Sequence, residues 1–228
     1  MIDIHTHILP FVDDGSNDFE ESIRIIDGLM NQGVQHIFLT PHYYKQRNYL
    51  STYDENLKIF NELKEKVADK AIHLYLANEI KYSIDVLQAI EDGYVKPLNK
   101  NIYLIEFSVD SSTYEIYEAI HNMISKGYQP IIAHIERYEA LNDLNDIRQL
   151  RQLGAYVQVN VSALLGYYGG SIKRKIKKLI KNDLVDFVAT DSHRYHENHF
   201  KRGYDYVSNK FSHDVAEHLF NNKIILSK

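Results

Sequence analysis

Seven times along the chain a short apolar run gives way to a segment of helical periodicity, and no linker-like break interrupts the series. The runs are Ile2 to His7, His36 to Thr40, Ile72 to Ala77, Ile102 to Phe107, Pro130 to Ala133, Ala155 to Val159 and Asp186 to Ala189. Such alternation leaves few folds open: a parallel sheet with right-handed crossovers, either open and doubly wound or closed into a β/α barrel. A doubly wound sheet usually carries a glycine-rich phosphate loop after its first strand. Here that position holds His5-Thr6-His7, which favours the barrel.

Helices are expected between the strands. Asp18 and Glu21 form a capping box before a stripe of Ile23, Ile26, Leu29 and Met30 that Gly33 ends. Further helices are read at Thr52 to Ala68, up to Glu91, Tyr114 to Lys126, Leu144 to Leu153, Ile172 to Lys181 and Asp214 to Asn221. At 228 residues the chain is read as one domain spanning 1–228. A hydrophobic share of 44% and a charged share of 25% are ordinary for a globular protein. No run approaches the roughly 18 apolar residues of a membrane span, and the N-terminus enters a strand at once, so a cytoplasmic protein is expected. Without cysteine there are no disulfides, thiolate metal sites or cysteine nucleophiles, and any metal falls to His, Asp and Glu. A net charge of −5 offers no broad attraction to nucleic acid.

The chemistry gathers at strand ends. His5 and His7 lie two apart, so an extended backbone projects both rings from one side. Six of the seven strands finish in a histidine or carboxylate: His5 and His7, His42, Glu79, Glu106, His134, then Asp191 and His193. In a parallel β/α barrel these ends share the face where active sites are built. With Asp14 in the first loop, the donors outnumber the three or four that one catalytic ion needs, which points to two or three ions bridged by carboxylates. Nitrogen and oxygen donors suit manganese, iron or zinc. His36, His73, His121, His196, His199, His213 and His218 are read as surface or packing residues. Arg137 and Arg194 stand beside the ligands, where a guanidinium suits an anionic substrate. The run Lys173 to Lys178 reads as the solvated face of a helix with Ile172, Ile176, Leu179 and Ile180 inside. Tyr43, Tyr44, Tyr167 and Tyr168 fall in loops of the same face, where they could line a cleft or merely reflect a tyrosine-rich composition.

The ordered set Ile-Asp-Ile-His-Thr-His-Ile-Leu-Pro at 2–10, Val-Asp-Asp-Gly at 12–15, Thr-Pro-His at 40–42, Asn-Glu-Ile at 78–80, Ile-Glu-Phe at 105–107, Ala-His-Ile-Glu-Arg-Tyr at 133–138 and Thr-Asp-Ser-His at 190–193 resembles the polymerase and histidinol phosphatase (PHP) superfamily. Within it the chain is most similar to the bacterial manganese-dependent protein tyrosine phosphatases of capsule and exopolysaccharide clusters, the CpsB/YwqE/CapC type. The resemblance implies a distorted seven-stranded TIM-like barrel and three divalent ions, Mn²⁺ first, with iron or zinc as alternatives. It implies ligation by His5, His7, Asp14, His42, Glu79, Glu106, His134, Asp191 and His193, with Glu79 bridging. The implied substrate is phosphotyrosine in the tail of a membrane-associated tyrosine autokinase that controls polysaccharide export. Relatives often carry Asn after the last histidine ligand and Arg a few positions on; here Arg194 takes the first place and Asn198 falls near the second, so Arg194 or Arg202 completes the phosphate site.

Hydrolysis of a phosphotyrosyl phosphomonoester is the expected reaction. Arg137, with Arg194 or a neighbour, neutralises the equatorial oxygens. No general acid is assigned, and oligomerisation is left open. The alternatives are a histidinol-phosphatase-like enzyme of small phosphomonoesters, a proofreading phosphodiesterase that the acidic balance disfavours, and a non-catalytic partner of the kinase.

Overall fold

The structure, a computed structural model, describes residues 1–195 and 199–226. His196 and Asn198 lie outside the described residues. The strands are β1 (Ile2–Thr6), β2 (His36–Leu39), β3 (His42–Tyr43), β4 (His73–Leu76), β5 (Glu79–Lys81), β6 (Ile102–Glu106), β7 (Gln129–Ile132), β8 (Tyr156–Asn160) and β9 (Phe187–Ala189). The helices are α1 (Phe19–Met30), α2 (Tyr53–Lys66), α3 (Val86–Glu91), α4 (Thr113–Ser125), α5 (Leu144–Leu153), α6 (Val161–Leu165), α7 (Gly170–Lys181), α8 (Phe200–Lys210) and α9 (His213–Asn221).

All ladders are parallel, as the alternation requires. They form a three-stranded sheet, β1-β2-β4, and a six-stranded sheet, β3-β5-β6-β7-β8-β9. The expected second and third strands are each split, into β2 and β3 and into β4 and β5, so one seven-stranded ladder is not what the hydrogen bonds describe. Pro41, which has no N–H to give a ladder, marks the first break. The second falls at Ala77-Asn78, where Asn78 turns its amide to the Pro41 carbonyl and the Lys96 N–H. At the other end of the series, one parallel bridge joins Thr6 to Ser192, and the amides of His7 and Asp191 donate to Ser192 O and His5 O.

Two apolar layers result. One lies between sheet and helices. The other is formed mainly by strand residues and includes Ile4, Phe38, Leu104, Ile131 and Phe187. The two-residue period of the strands carries this second layer into the polar site. Along β6 the sequence Ile102, Leu104 reaches Glu106; Ala77 is followed by Glu79, and Phe187 and Ala189 by Asp191.

Local signals behave as read in most places. Asp18 accepts from the Glu21 N–H at 2.7 Å, although the Glu21 carboxylate returns to the Asn17 amide and not to the cap itself. Ile25 joins Ile26 and Leu29 in the buried stripe of α1, while Ile23 and Met30 stay partly exposed. Thr52 with Glu55 and Ser112 with Glu115 close full capping boxes at α2 and α4. No helix among the described residues is long and apolar enough to cross a membrane.

Two helices, α6 and α8, are absent from the sequence reading. The inner stripe of α8 is Phe200, Gly203 and Val207, and a glycine stands where the helical pattern wants bulk. A Cβ on Gly203 would stand 2.3 Å from Val161 Cγ2, so the close approach of α6 and α8 requires that gap.

Candidate metal centre

Nine side chains expected to converge do converge. His5 and His7 are fully buried at the end of β1, and their Nε2 atoms lie 3.1 Å apart. Glu79 Oε2 sits among three histidine nitrogens: His5 Nε2 at 3.3 Å, His7 Nε2 at 3.2 Å and His42 Nδ1 at 3.0 Å. Its other oxygen, Oε1, is 3.1 Å from His134 Nε2, with Glu106 Oε1 at 3.7 Å from the same nitrogen. Asp191 Oδ1 lies 3.4 Å from His5 Nε2 and 3.5 Å from both His7 Nε2 and His193 Nδ1. Asp14 Oδ1 is 3.5 Å from Nε2 of His42 and of His193. His134 and Asp191 both adopt positive φ, 30° and 54°, an unusual conformation for residues with a side chain and one that clusters at functional sites.

The donor set fits divalent cations. Three overlapping groups, His7-Asp14-His42-His193, His5-His7-Glu79 and His42-Glu79-Glu106, each bring their ligand atoms within 4.8 Å of one another. Asp14 Oδ1, His42 Nδ1 and Glu79 Oε2 are buried without a hydrogen bond, a costly arrangement for oxygen and nitrogen lone pairs unless a cation takes them. Nitrogen and oxygen donors without sulfur match manganese, iron or zinc.

Electrostatics within the cluster are strong. Burial opposes ionisation of Glu79, yet His5, His42 and His134 hold its carboxyl well below the usual range. Burial likewise opposes charge on His7, but the Asp13 carboxylate lifts its pKa well above that of a free histidine. Burial and the neighbouring His7 push His193 down to about 4. Three of the four candidate carboxylate ligands also meet a permanent cation: Asp191 with Arg137 at 2.7 Å, Asp14 with Arg47 at 3.2 Å and Glu106 with Lys81 at 3.5 Å.

These groups surround a cleft of about 330 Å³, lined also by Tyr44, Arg47, Lys81 and Arg137. Beside it lies a cavity of about 550 Å³ that shares Arg137, Asp191 and His193 and adds Tyr167, Tyr168 and Arg194. Arg137 thus faces both spaces. Arg194 lines only the second, where its Nη1 lies 3.6 Å from Glu21 Oε2, and Arg202 donates to the Tyr167 hydroxyl at 3.0 Å. Tyr43 lines neither space and packs partly buried against the core.

The basic run of α7 is not wholly a solvated face. Lys175 is partly buried and donates to Tyr138 O at 2.9 Å, while Lys173 donates to Leu165 O. His36 packs on His73 at 4.9 Å as expected, whereas His199 stacks on Tyr167 at 5.0 Å and lines the adjoining cavity with it.

Sequence reasoning missed several participants. Asp13 holds His7 Nδ1 at 2.8 Å and accepts the His42 amide at 2.9 Å. Its neighbour Asp14 carries the same side chain but lies by the Nε2 atoms of His42 and His193, while Asp13 also accepts the Gly15 N–H at 2.9 Å. Lys81 follows Glu79 by two residues on β5, so the strand period was the available signal. Gln158 and Asn160 lie on β8, the sixth of the seven strands expected from the sequence, whose end has no ionisable group.

Comparison with known proteins agrees with this geometry. A family model described as capsular polysaccharide synthesis, CpsB/CapC, matches residues 1–226. Tyrosine-protein phosphatase CpsB of Streptococcus pneumoniae is 35% identical over 96% of this chain and 95% of its own length. Crystal structures of YwqE from Bacillus subtilis and CpsB from Streptococcus pneumoniae, described as unique metal-dependent tyrosine phosphatases, superpose with a TM-score of 0.87 at 29% identity over 95% of this chain and 90% of the matched one. A histidinol phosphate phosphatase from Lactococcus lactis, at 13% identity and a TM-score of 0.60 over 91% of this chain and 93% of its own, shares the fold.

Proposed function

The chain belongs to the CpsB/CapC capsular polysaccharide synthesis family, and from that premise we propose that it is a metal-dependent phosphatase acting on phosphotyrosine in proteins. The observation that carries the reading is Glu79 Oε2, buried, without a hydrogen bond and ringed by three histidine nitrogens at 3.0 to 3.3 Å. A pure binding module has no use for nine converging ligand groups. His5, His7, Asp14, His42, Glu79, Glu106, His134, Asp191 and His193 would hold the divalent ions, three in number and Mn²⁺ foremost, with Glu79 at the middle of the set. The chain is read as one domain, a distorted seven-stranded barrel; support comes from the all-parallel order of strands within the two sheets and the bridge between Thr6 and Ser192.

Bound divalent ions supply Lewis-acid neutralisation of phosphate oxygens and a water of lowered pKa. The chain's own residues do the rest. Arg137 is anchored at one nitrogen by Asp191, and its guanidinium, 35% exposed on the side chain, stands on the wall shared by the cleft and the adjoining cavity. There it binds phosphate oxygens and neutralises charge that builds on them. Lys81 adds a second fixed cation to the cleft. The adjoining cavity, with Tyr167 and Tyr168 on its wall, offers the aryl group and its peptide a place beside the phosphate, and Arg194 lies nearer this place than Arg202. Phenol has a pKa near 10, so its departure as phenolate needs less acid assistance than that of an alkoxide.

The substrate is the phosphotyrosine tail of a membrane-associated tyrosine kinase of polysaccharide export, met by a cytoplasmic phosphatase. Rates on a phosphotyrosine peptide, a phosphoserine peptide and histidinol phosphate test this. Preference for phosphotyrosine supports the proposal; preference for histidinol phosphate replaces it with the small-molecule reading.

A further inference from the structure

A strand that contributes no ligand, β8, holds the polar frame behind the ligands. β8 is buried along Val157, Gln158, Val159 and Asn160, and two fully buried amides in a strand must find partners. Their partners form a single chain. Asn160 Nδ2 donates to Asp191 Oδ2 at 2.8 Å, Gln158 Nε2 donates to Asn160 Oδ1 at 2.8 Å, and Gln158 Oε1 accepts the His134 backbone N–H at 2.8 Å. The same Oε1 lies 3.3 Å from His5 Nδ1.

Amide orientation is ordinarily ambiguous, but here both ends of the chain are fixed by chemistry. Asp191 Oδ2 already accepts from Arg137 Nη2, a group that can only donate, at 2.7 Å, so Asn160 turns its NH₂ toward that oxygen and its own oxygen toward Gln158. At the far end the His134 N–H can only donate, so Gln158 must turn its oxygen toward it. The two constraints agree. The Gln158 oxygen therefore faces His5 Nδ1, and a favourable contact requires a proton on Nδ1, which leaves the Nε2 lone pair facing Glu79 and Asp191.

We propose that Gln158 and Asn160 are positioning residues that lock His5 as its Nδ1–H tautomer, pre-setting Nε2 as the donor atom before any ion arrives. Asn160 transmits the orientation and Gln158 enforces it. The inference rests on the reading of His5 as a ligand, but its deciding readout, the tautomer of His5, needs neither metal nor substrate, so loss of the phosphatase reading leaves it decidable.

The experiment is a long-range ¹H–¹⁵N spectrum of the full, metal-free chain labelled at histidine, recorded at alkaline pH where the rings are neutral. His5, assigned by its absence in H5Q, is expected as the Nδ1–H tautomer. Gln158→Leu removes the acceptor and is expected to yield a mixture of tautomers and about 10- to 100-fold weaker Mn²⁺ binding by titration. Gln158→Glu keeps an acceptor for both donors and is expected to restore the Nδ1–H signal. An Nε2–H tautomer in the parent overturns the proposal whether or not any variant folds. So does an unchanged His5 signal in folded Gln158→Leu.

Discussion

Glu79 Oε2 and His42 Nδ1 face each other at 3.0 Å, both buried and neither in a hydrogen bond. Two such atoms side by side define a place for positive charge. Glu79→Gln keeps the shape and removes the charge. Mn²⁺ bound per chain, measured after gel filtration, is expected to fall by at least one ion, with turnover reduced on the order of 10²-fold or more. Full metal content in a folded Glu79→Gln protein would remove Glu79 from the centre.

Asp13 reaches the same centre at one remove. Its carboxylate orients His7 through Nδ1 and the His42 backbone through its amide. Asp13→Ala is expected to weaken Mn²⁺ about 10- to 100-fold against a competing chelator, as loss of an outer partner of a ligating histidine does. Equal affinities would mean that the Gly15 turn alone sets the rings.

Arg194 and Arg202 are separable by geometry. Arg194 lines the cavity beside His193, whereas Arg202 bonds the Tyr167 hydroxyl and does not line that cavity. Arg194→Ala is expected to raise KM for a phosphotyrosine peptide about tenfold, roughly the worth of one charge-assisted hydrogen bond. Arg202→Ala is expected to have the smaller effect. A reversed order in steady-state kinetics assigns the phosphate contact to Arg202.

Lys175 gives a pH signature away from the ligands. Burial pushes its pKa from 10.5 down to about 8, only partly offset by Glu136 and Glu139. Between about pH 8 and 10.5 the unfolded chain therefore binds more protons at this site than the folded one, and this group's contribution to stability rises with pH. Below that window both states carry the proton and the burden of the buried charge is fully present. Chemical denaturation across the window should show a flatter slope for Lys175→Met than for the parent, and identical slopes contradict the burial of this ammonium.

Much of this was legible because function and fold use the same signal. A barrel places its chemistry at strand ends, so His5, His42, Glu79, Glu106, His134 and Asp191 announce both the strand and the site. The outer frame has no such mark. Gln158 looks like any polar residue until its burial shows that its amide must be satisfied, and Asp13 differs from Asp14 only through tertiary geometry. α8 was hidden by Gly203, whose missing side chain is a packing device that pattern reading takes for a break. The split of the expected second strand followed from Pro41, which was visible, but its effect on the ladder depends on which neighbour the chain pairs with after it.

The most direct test of the central claim is hydrolysis of a phosphotyrosine peptide by metal-stripped protein, with Mn²⁺, Zn²⁺ or Mg²⁺ returned separately and phosphoserine peptide alongside. The account predicts no release without metal, restoration that is strongest with Mn²⁺, and selectivity for phosphotyrosine. Full activity of the stripped protein, or silence under every metal, would contradict it.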